Sequence, residues 1–203
     1  MTDDHDLLRL VTAADMARAK IVLVGDSTMA PHSGGGGAFC AKHVKSSVAC
    51  VNAGRGGRST RSYRQEGSWD IALAEARVPG DRATYVLIQF GHNDQSSQPE
   101  RWTDETIEFP ANLRRFVGDV RGAGAIPVLV TPLTRRDFKD GRLKNTLASW
   151  SDQVRGVAKA LDVPLVDLNA LSARQVQEMG AEMATKLAQE PPSDTELAAA
   201  RAG

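Results

Sequence analysis

Cysteine is nearly absent from this chain: Cys40 and Cys50 are its only two. Two thiols cannot build a disulfide scaffold or complete a zinc site. They leave two alternatives open, a single bridge in an oxidising compartment or a pair of reduced, packed thiols. Long apolar runs are missing too, none approaching the roughly 18 residues of a membrane span, so a soluble protein with no membrane partner is expected. The amino terminus, MTDDHDLLRLVTAADMARAK, has no cationic segment followed by an apolar one and reads as no secretory signal. Neither sign of charge is in excess: 25 Lys+Arg against 25 Asp+Glu give a net charge of 0, which argues against a nucleic-acid or anionic-membrane binder. What is present is ordinary globular material, 203 residues with 41% hydrophobic side chains, enough for one core and too little for two.

The clearest stretch is Lys20 to Ala30, KIVLVGDSTMA. Ile21 to Val24 form an unbroken apolar run that fits a strand buried on both faces of a parallel sheet. Gly25 permits a sharp turn, and Asp26, Ser27 and Thr28 leave the strand as a polar cluster, where open α/β sheets bind ligands. The same grammar recurs. Val48 to Asn52 reads as a second buried strand, followed by a loop in which Gly54, Gly56 and Gly57 alternate with Arg55, Arg58 and Arg61. Tyr85 to Phe90 reads as a third strand, ending in Gly91-His92-Asn93-Asp94.

Between and beyond these, Leu7 to Met16 suggests a short helix in an amino-terminal extension over residues 1–19. Gly34 to Gly37 lacks the spacing of a P-loop or a dinucleotide fingerprint and predicts a flexible rim beside Ser27. Helices are predicted around Ile71 to Ala76, Ile107 to Ala123 and Ala148 to Leu161, with further strands at Ala125 to Thr131 and Val163 to Leu168. A helical pattern resumes at Asn169, and PPSDTELAAARAG reads as a loop. Five βα repeats with right-handed crossovers predict a single domain, a three-layer α/β/α sandwich on a five-stranded parallel sheet.

Gly25-Asp26-Ser27, Gly57-Arg58-Ser59 and Gly91-His92-Asn93-Asp94, each after a strand, resemble three motif blocks of the SGNH (GDSL-type) hydrolases, which have a flavodoxin-like fold. The likeness is nearest to the rhamnogalacturonan acetylesterases, whose blocks GDSTMA and G-R-S-x-R-S-Y match residues 25–30 and 57–63. The resemblance implies a serine esterase that removes acetyl groups from pectic polysaccharide without metal or organic cofactor. Ser27 would be the nucleophile, and the Ser27 and Gly57 N–H groups with the Asn93 amide would be the oxyanion donors, residue types suited to stabilising charge on one oxygen. Asp26 and His92 would support the site. Arg55, Arg58 and Arg61 would grip a polyanionic galacturonate backbone. A secreted or periplasmic location would follow from such a substrate.

One expected part is absent. An unassisted serine is a poor nucleophile, and the family draws its base from an Asp-x-x-His near the carboxyl end. The histidines here are His5, His32, His43 and His92, and Asp194 is followed at the third position by Leu197. The reading is that the chain stops short of this carboxyl-terminal block. The alternatives are a binding protein that has lost its base, or another SGNH lipase, thioesterase or arylesterase.

Overall fold

The computed structural model describes residues 19–188 and 191–202; the helix expected over Leu7 to Met16 lies outside them. The sheet begins with β1 (Ala19–Gly25), whose Val22, Leu23 and Val24 are almost fully buried. It pairs in parallel with β2 (Val48–Asn52) on one side and β3 (Ala83–Gln89) on the other. Then come β4 (Ile126–Val130) and β7 (Leu165–Val166), giving the order β2-β1-β3-β4-β7. This is the flavodoxin-like arrangement, with its topological switch between β1 and β3.

β2 covers the residues expected of it but is an edge strand, and all five of its residues are partly exposed rather than buried. β7 is shorter than Val163 to Leu168: Asp167 turns away to cap the next helix, and Leu165 and Val166 stay 37% and 41% exposed. Right-handed crossovers put the helices after β2, β3 and β4 on one face. These are α2 (Thr60–Gln65), α3 (Ser68–Arg77), α4 (Glu108–Gly122) and α5 (Ala148–Leu161). Val22, Val24, Val86, Ile88 and Leu129 meet them in one core. Aromatics tie it together: Phe90 stacks on Phe116 at 5.6 Å, and Trp69 meets Phe116 edge-on at 4.5 Å.

α1 (Gly35–Ala38) runs into a π-helical turn (Phe39–His43), and Cys40 in that turn is disulfide-bonded to Cys50 of β2. The bridge resolves the choice the cysteines left open. After β4, the loop contains a hairpin of β5 (Phe138–Lys139) and β6 (Arg142–Leu143), turned by Asp140 and Gly141, both at positive φ, the pair such tight turns favour. α6 (Leu168–Thr185) follows, with a break at Gly180. The last stretch, read as a loop, is helix α7 (Asp194–Ala202), opened by a reciprocal cap: Glu196 accepts from the Ser193 N–H, and Ser193 Oγ accepts from the Glu196 N–H. No helix among the described residues is long and apolar enough to cross a membrane.

Candidate active site

The β1–β3 register runs to Gly25 opposite Gln89, so the segments starting at Asp26 and Phe90 leave the sheet side by side. Gly25 has to be glycine, because a methyl group there would stand 2.6 Å from the Gln89 carbonyl oxygen. The turn that follows is built on Asp26, whose side chain is fully buried. Its carbonyl accepts from the Met29 and Ala30 N–H groups, and its Oδ1 from the Thr28 N–H at 2.9 Å and the Thr28 hydroxyl at 2.8 Å. Thr28 Oγ1 also lies 3.0 Å from the Gln89 side-chain amide. The facing amide atom is Oε1, and the buried Gln89 Nε2 meets no acceptor among the described residues. Ser27 is thereby held half-exposed at the crest of the turn.

The glycine run is packed rather than a loose rim. Methyl groups at Gly36 and Gly37 would stand 2.0 Å from the carbonyl oxygens of Met29 and Pro31. The Gly35 N–H donates to Thr28 O, and Ser33 Oγ to Ser27 O. The glycines let a helical turn lie directly on the Ser27 turn.

The second block approaches from β2. The Arg55 N–H donates to Gly25 O at 2.9 Å, and a methyl group at Gly56 would be 3.7 Å from Ser27 Cβ. Gly57 has φ +76°, a conformation that favours glycine. Ser59 then caps α2, accepting from the Ser62 N–H while Ser62 Oγ accepts from the Ser59 N–H. The Ser59-x-x-Ser62 spacing is the sequence signal for this helix, which a reading of the stretch as one loop misses.

From β3, Asn93 Nδ2 donates to Arg58 O at 3.1 Å, which fixes the amide against the second block and leaves its other N–H to donate. His92 is nearly buried, with Nδ1 3.5 Å from Asp26 Oδ2. Neither atom has another partner among the described residues. Asp94 is fully buried, and its Oδ1 accepts from the Thr60 N–H at 3.0 Å and from the hydroxyls of Thr60 and Thr103 at 2.5 and 3.1 Å. Its Oδ2 meets no donor, and burial pushes the carboxyl up from 3.8 to about 7 against the pull of those hydrogen bonds.

Ser27, Gly57 and Asn93 therefore stand at the ends of three neighbouring strands. His32 and His43 are exposed on the segment containing α1, and neither is hydrogen-bonded to these groups among the described residues. The three arginines expected at a polyanion are each engaged. Arg55 bonds Ser68 Oγ and lies 3.4 Å from Glu66; Arg58 donates to both Glu66 oxygens; Arg61 forms a two-point pair with Glu108 and donates to Pro99 O. A cleft of about 760 Å³ opens next to the turn, between Thr28 and His92 on one side and Arg135, Pro191, Glu196 and Ala199 on the other. A second hollow of about 520 Å³ has His92, Asn93, Ser96 and Arg135 in its wall. Arg135, which donates to His92 O at 3.1 Å, had no signal in the sequence beyond its place in a basic loop.

Residues 23–191 match the model of the GDSL-like lipase/acylhydrolase family. The rhamnogalacturonan acetylesterase RhgT of Bacillus subtilis (strain 168) is 38% identical over 176 residues, 83% of this chain and 72% of the relative. A second B. subtilis protein, YesY, named a probable rhamnogalacturonan acetylesterase, is 30% identical over 168 residues, 80% of this chain and 76% of the relative. A catalytic mutant of an acetylxylan esterase from Geobacillus stearothermophilus superposes with a TM-score of 0.62 over 90% of this chain and 91% of its own, at 19% identity, a likeness of fold alone.

Proposed function

The chain belongs to the GDSL-like lipase/acylhydrolase family, and from that premise we propose that this ester hydrolase removes acetyl groups from acetylated pectic polysaccharide of the rhamnogalacturonan type. The observation that carries the reading is the convergence of Ser27, Gly57 and Asn93 at adjoining strand ends, with Gly56 against Ser27 and the Asn93 amide tied to Arg58 O. The names of RhgT and YesY supply the substrate class.

In the proposed reaction Ser27 Oγ attacks the acetyl carbonyl carbon and gives up its proton to a general base, which in the family is the histidine of the Asp-x-x-His block and has no counterpart among the histidines of this sequence. Negative charge gathers on the carbonyl oxygen, where the N–H groups of Ser27 and Gly57 and the free N–H of the Asn93 amide receive it. The bond to the sugar oxygen then breaks, the sugar hydroxyl takes up a proton, and water releases acetate from the acyl-serine. Asp26 positions the nucleophile turn. The contact between His92 Nδ1 and Asp26 orients the imidazole at the rim of the cleft. The Cys40–Cys50 bridge supports a place in an oxidising compartment outside the cytosol.

The test is acetate release from acetylated rhamnogalacturonan by the protein and by Ser27→Ala. Loss of acetate release in Ser27→Ala is expected, the fold-change growing with the base available to Ser27. Equal rates for the two proteins would remove Ser27 from the chemistry. Equal rates on acetylated xylan would keep the acetylesterase and discard the pectic preference, and preference for long-chain acyl esters would favour a lipase. Tight polysaccharide binding without acetate release assigns a binding role instead.

A further inference from the structure

Of the arginines near the strand ends, Arg101 is the one whose guanidinium has neither a carboxylate nor a hydrogen-bond acceptor among the described residues. Arg55, Arg58 and Arg61 are held by Glu66 and Glu108, and Arg64 by Asp119. Arg101 is half-buried and lies directly over the second block. A methyl group at Gly57 would stand 3.4, 3.5 and 3.6 Å from its Nη2, Cζ and Nη1. The cation thus adjoins Gly57, whose neighbour Gly56 adjoins Ser27.

Its position is built rather than incidental. The N–H groups of Arg101 and Trp102 both donate to Gln98 O, at 2.9 and 3.0 Å, closing a turn. Thr103 then anchors that turn to Asp94, N–H to carbonyl at 3.0 Å and hydroxyl to Oδ1 at 3.1 Å, so the segment is fixed to the residue that follows Asn93. The next side chain, Trp102, is 47% exposed, and the Arg61 guanidinium lies 5.9 Å from its ring centroid. A large aromatic left half in water follows in the chain a guanidinium with no partner among the described residues, and the two supply two recognition chemistries. The guanidinium fork matches a carboxylate, and the indole offers flat apolar area to the C–H face of a sugar ring.

We propose that Arg101 and Trp102 form a subsite for a uronic-acid residue of the acetylated polymer, Arg101 pairing with its carboxylate and Trp102 packing on its ring. The inference rests on the acetylesterase reading above and deepens it: charge selection falls to Arg101, whose guanidinium has no partner among the described residues, while Arg55, Arg58 and Arg61 brace the loop that carries Gly57. Binding at this subsite fixes the polymer in register over Ser27.

The test is calorimetric titration of the whole chain with de-acetylated rhamnogalacturonan oligosaccharides, as free acids and as methyl esters, which needs no turnover. The protein is expected to prefer the free acid. Arg101→Gln should weaken free-acid binding by about tenfold or more, as loss of a hydrogen-bonded charge partner does, and bring it level with the methyl ester, while Arg101→Lys retains part of the preference. Trp102→Ala should weaken both forms by the same factor. Melting curves identify any variant that fails to fold. Equal affinity of the unsubstituted protein for acid and ester, equal losses on both in Arg101→Gln, or no measurable binding of either overturns the proposal. Acetate release is scored separately with Ser27→Ala, so a binding preference without hydrolysis would refute the esterase reading and leave the subsite standing.

Discussion

At the residue scale, Asp94 is where two motif blocks meet: it receives three donors from Thr60 and Thr103 on one oxygen and none on the other. Desolvation holds its native carboxyl near 7 against an ordinary 3.8. Between these values the folded chain keeps a proton that the unfolded chain has lost, so the contribution to stability is full below about pH 4 and is lost as the pH rises to about 7. Glu66, Glu108 and Asp167 are shifted the other way by Arg58, Arg61, Arg155 and hydroxyl donors, and their losses come on acidification from 4.5 downward for the glutamates and from 3.8 for the aspartate. Asp94→Asn, isosteric with the protonated acid, should therefore flatten the decline in unfolding free energy between pH 4 and 7, measured by denaturant titration at several pH values. An undiminished slope would assign the decline to other groups. The motif in the sequence names Asp94, but only burial raises its carboxyl to about 7.

At the scale of elements, the segment after Ser27 shows how local spelling and tertiary packing divide the work. Four glycines in a row suggest a flexible stretch, yet three of them sit where any side chain would strike the backbone of residues 27–31. The disulfide closes this segment onto β2 across a separation of 10 residues. Replacing both cysteines, Cys40→Ser with Cys50→Ser, should cost about 2 to 3 kcal/mol by the chain-entropy argument, read as a lower denaturation midpoint. A change under about 0.5 kcal/mol would mean that the glycine packing alone holds the turn. α7 carries the opposite lesson: Ser193-x-x-Glu196 spells a helix start, and the preceding Pro191-Pro192 draws the eye to a loop. β7 shrinks because Asp167, expected inside a strand, caps α6 and accepts a two-point pair from Arg155.

At the scale of the molecule, zero net charge at pH 7 means that self-association is least opposed near neutrality. Solubility measured by precipitation should be lowest around pH 7 and rise on either side; a monotonic trend would show that surface patches outweigh net charge. The sequence by itself determined the order of the five sheet strands and of the helices α3, α4, α5 and α6, because hydrophobic period and turn chemistry are local properties of the chain. It also determined which polar residues follow the strand ends, because Gly25 and Gly91 stand at or just past the ends of β1 and β3 and a glycine-rich loop follows β2. Tertiary structure alone decided which charges are spent and which are left over. Arg55, Arg58 and Arg61 read as a basic cluster until Glu66 and Glu108 are brought beside them, and Arg101, in an unmarked polar loop and without a partner among the described residues, comes to the site only when that loop folds back onto Gly57. Ion pairing depends on distances between residues far apart in the chain, and no period or motif encodes those.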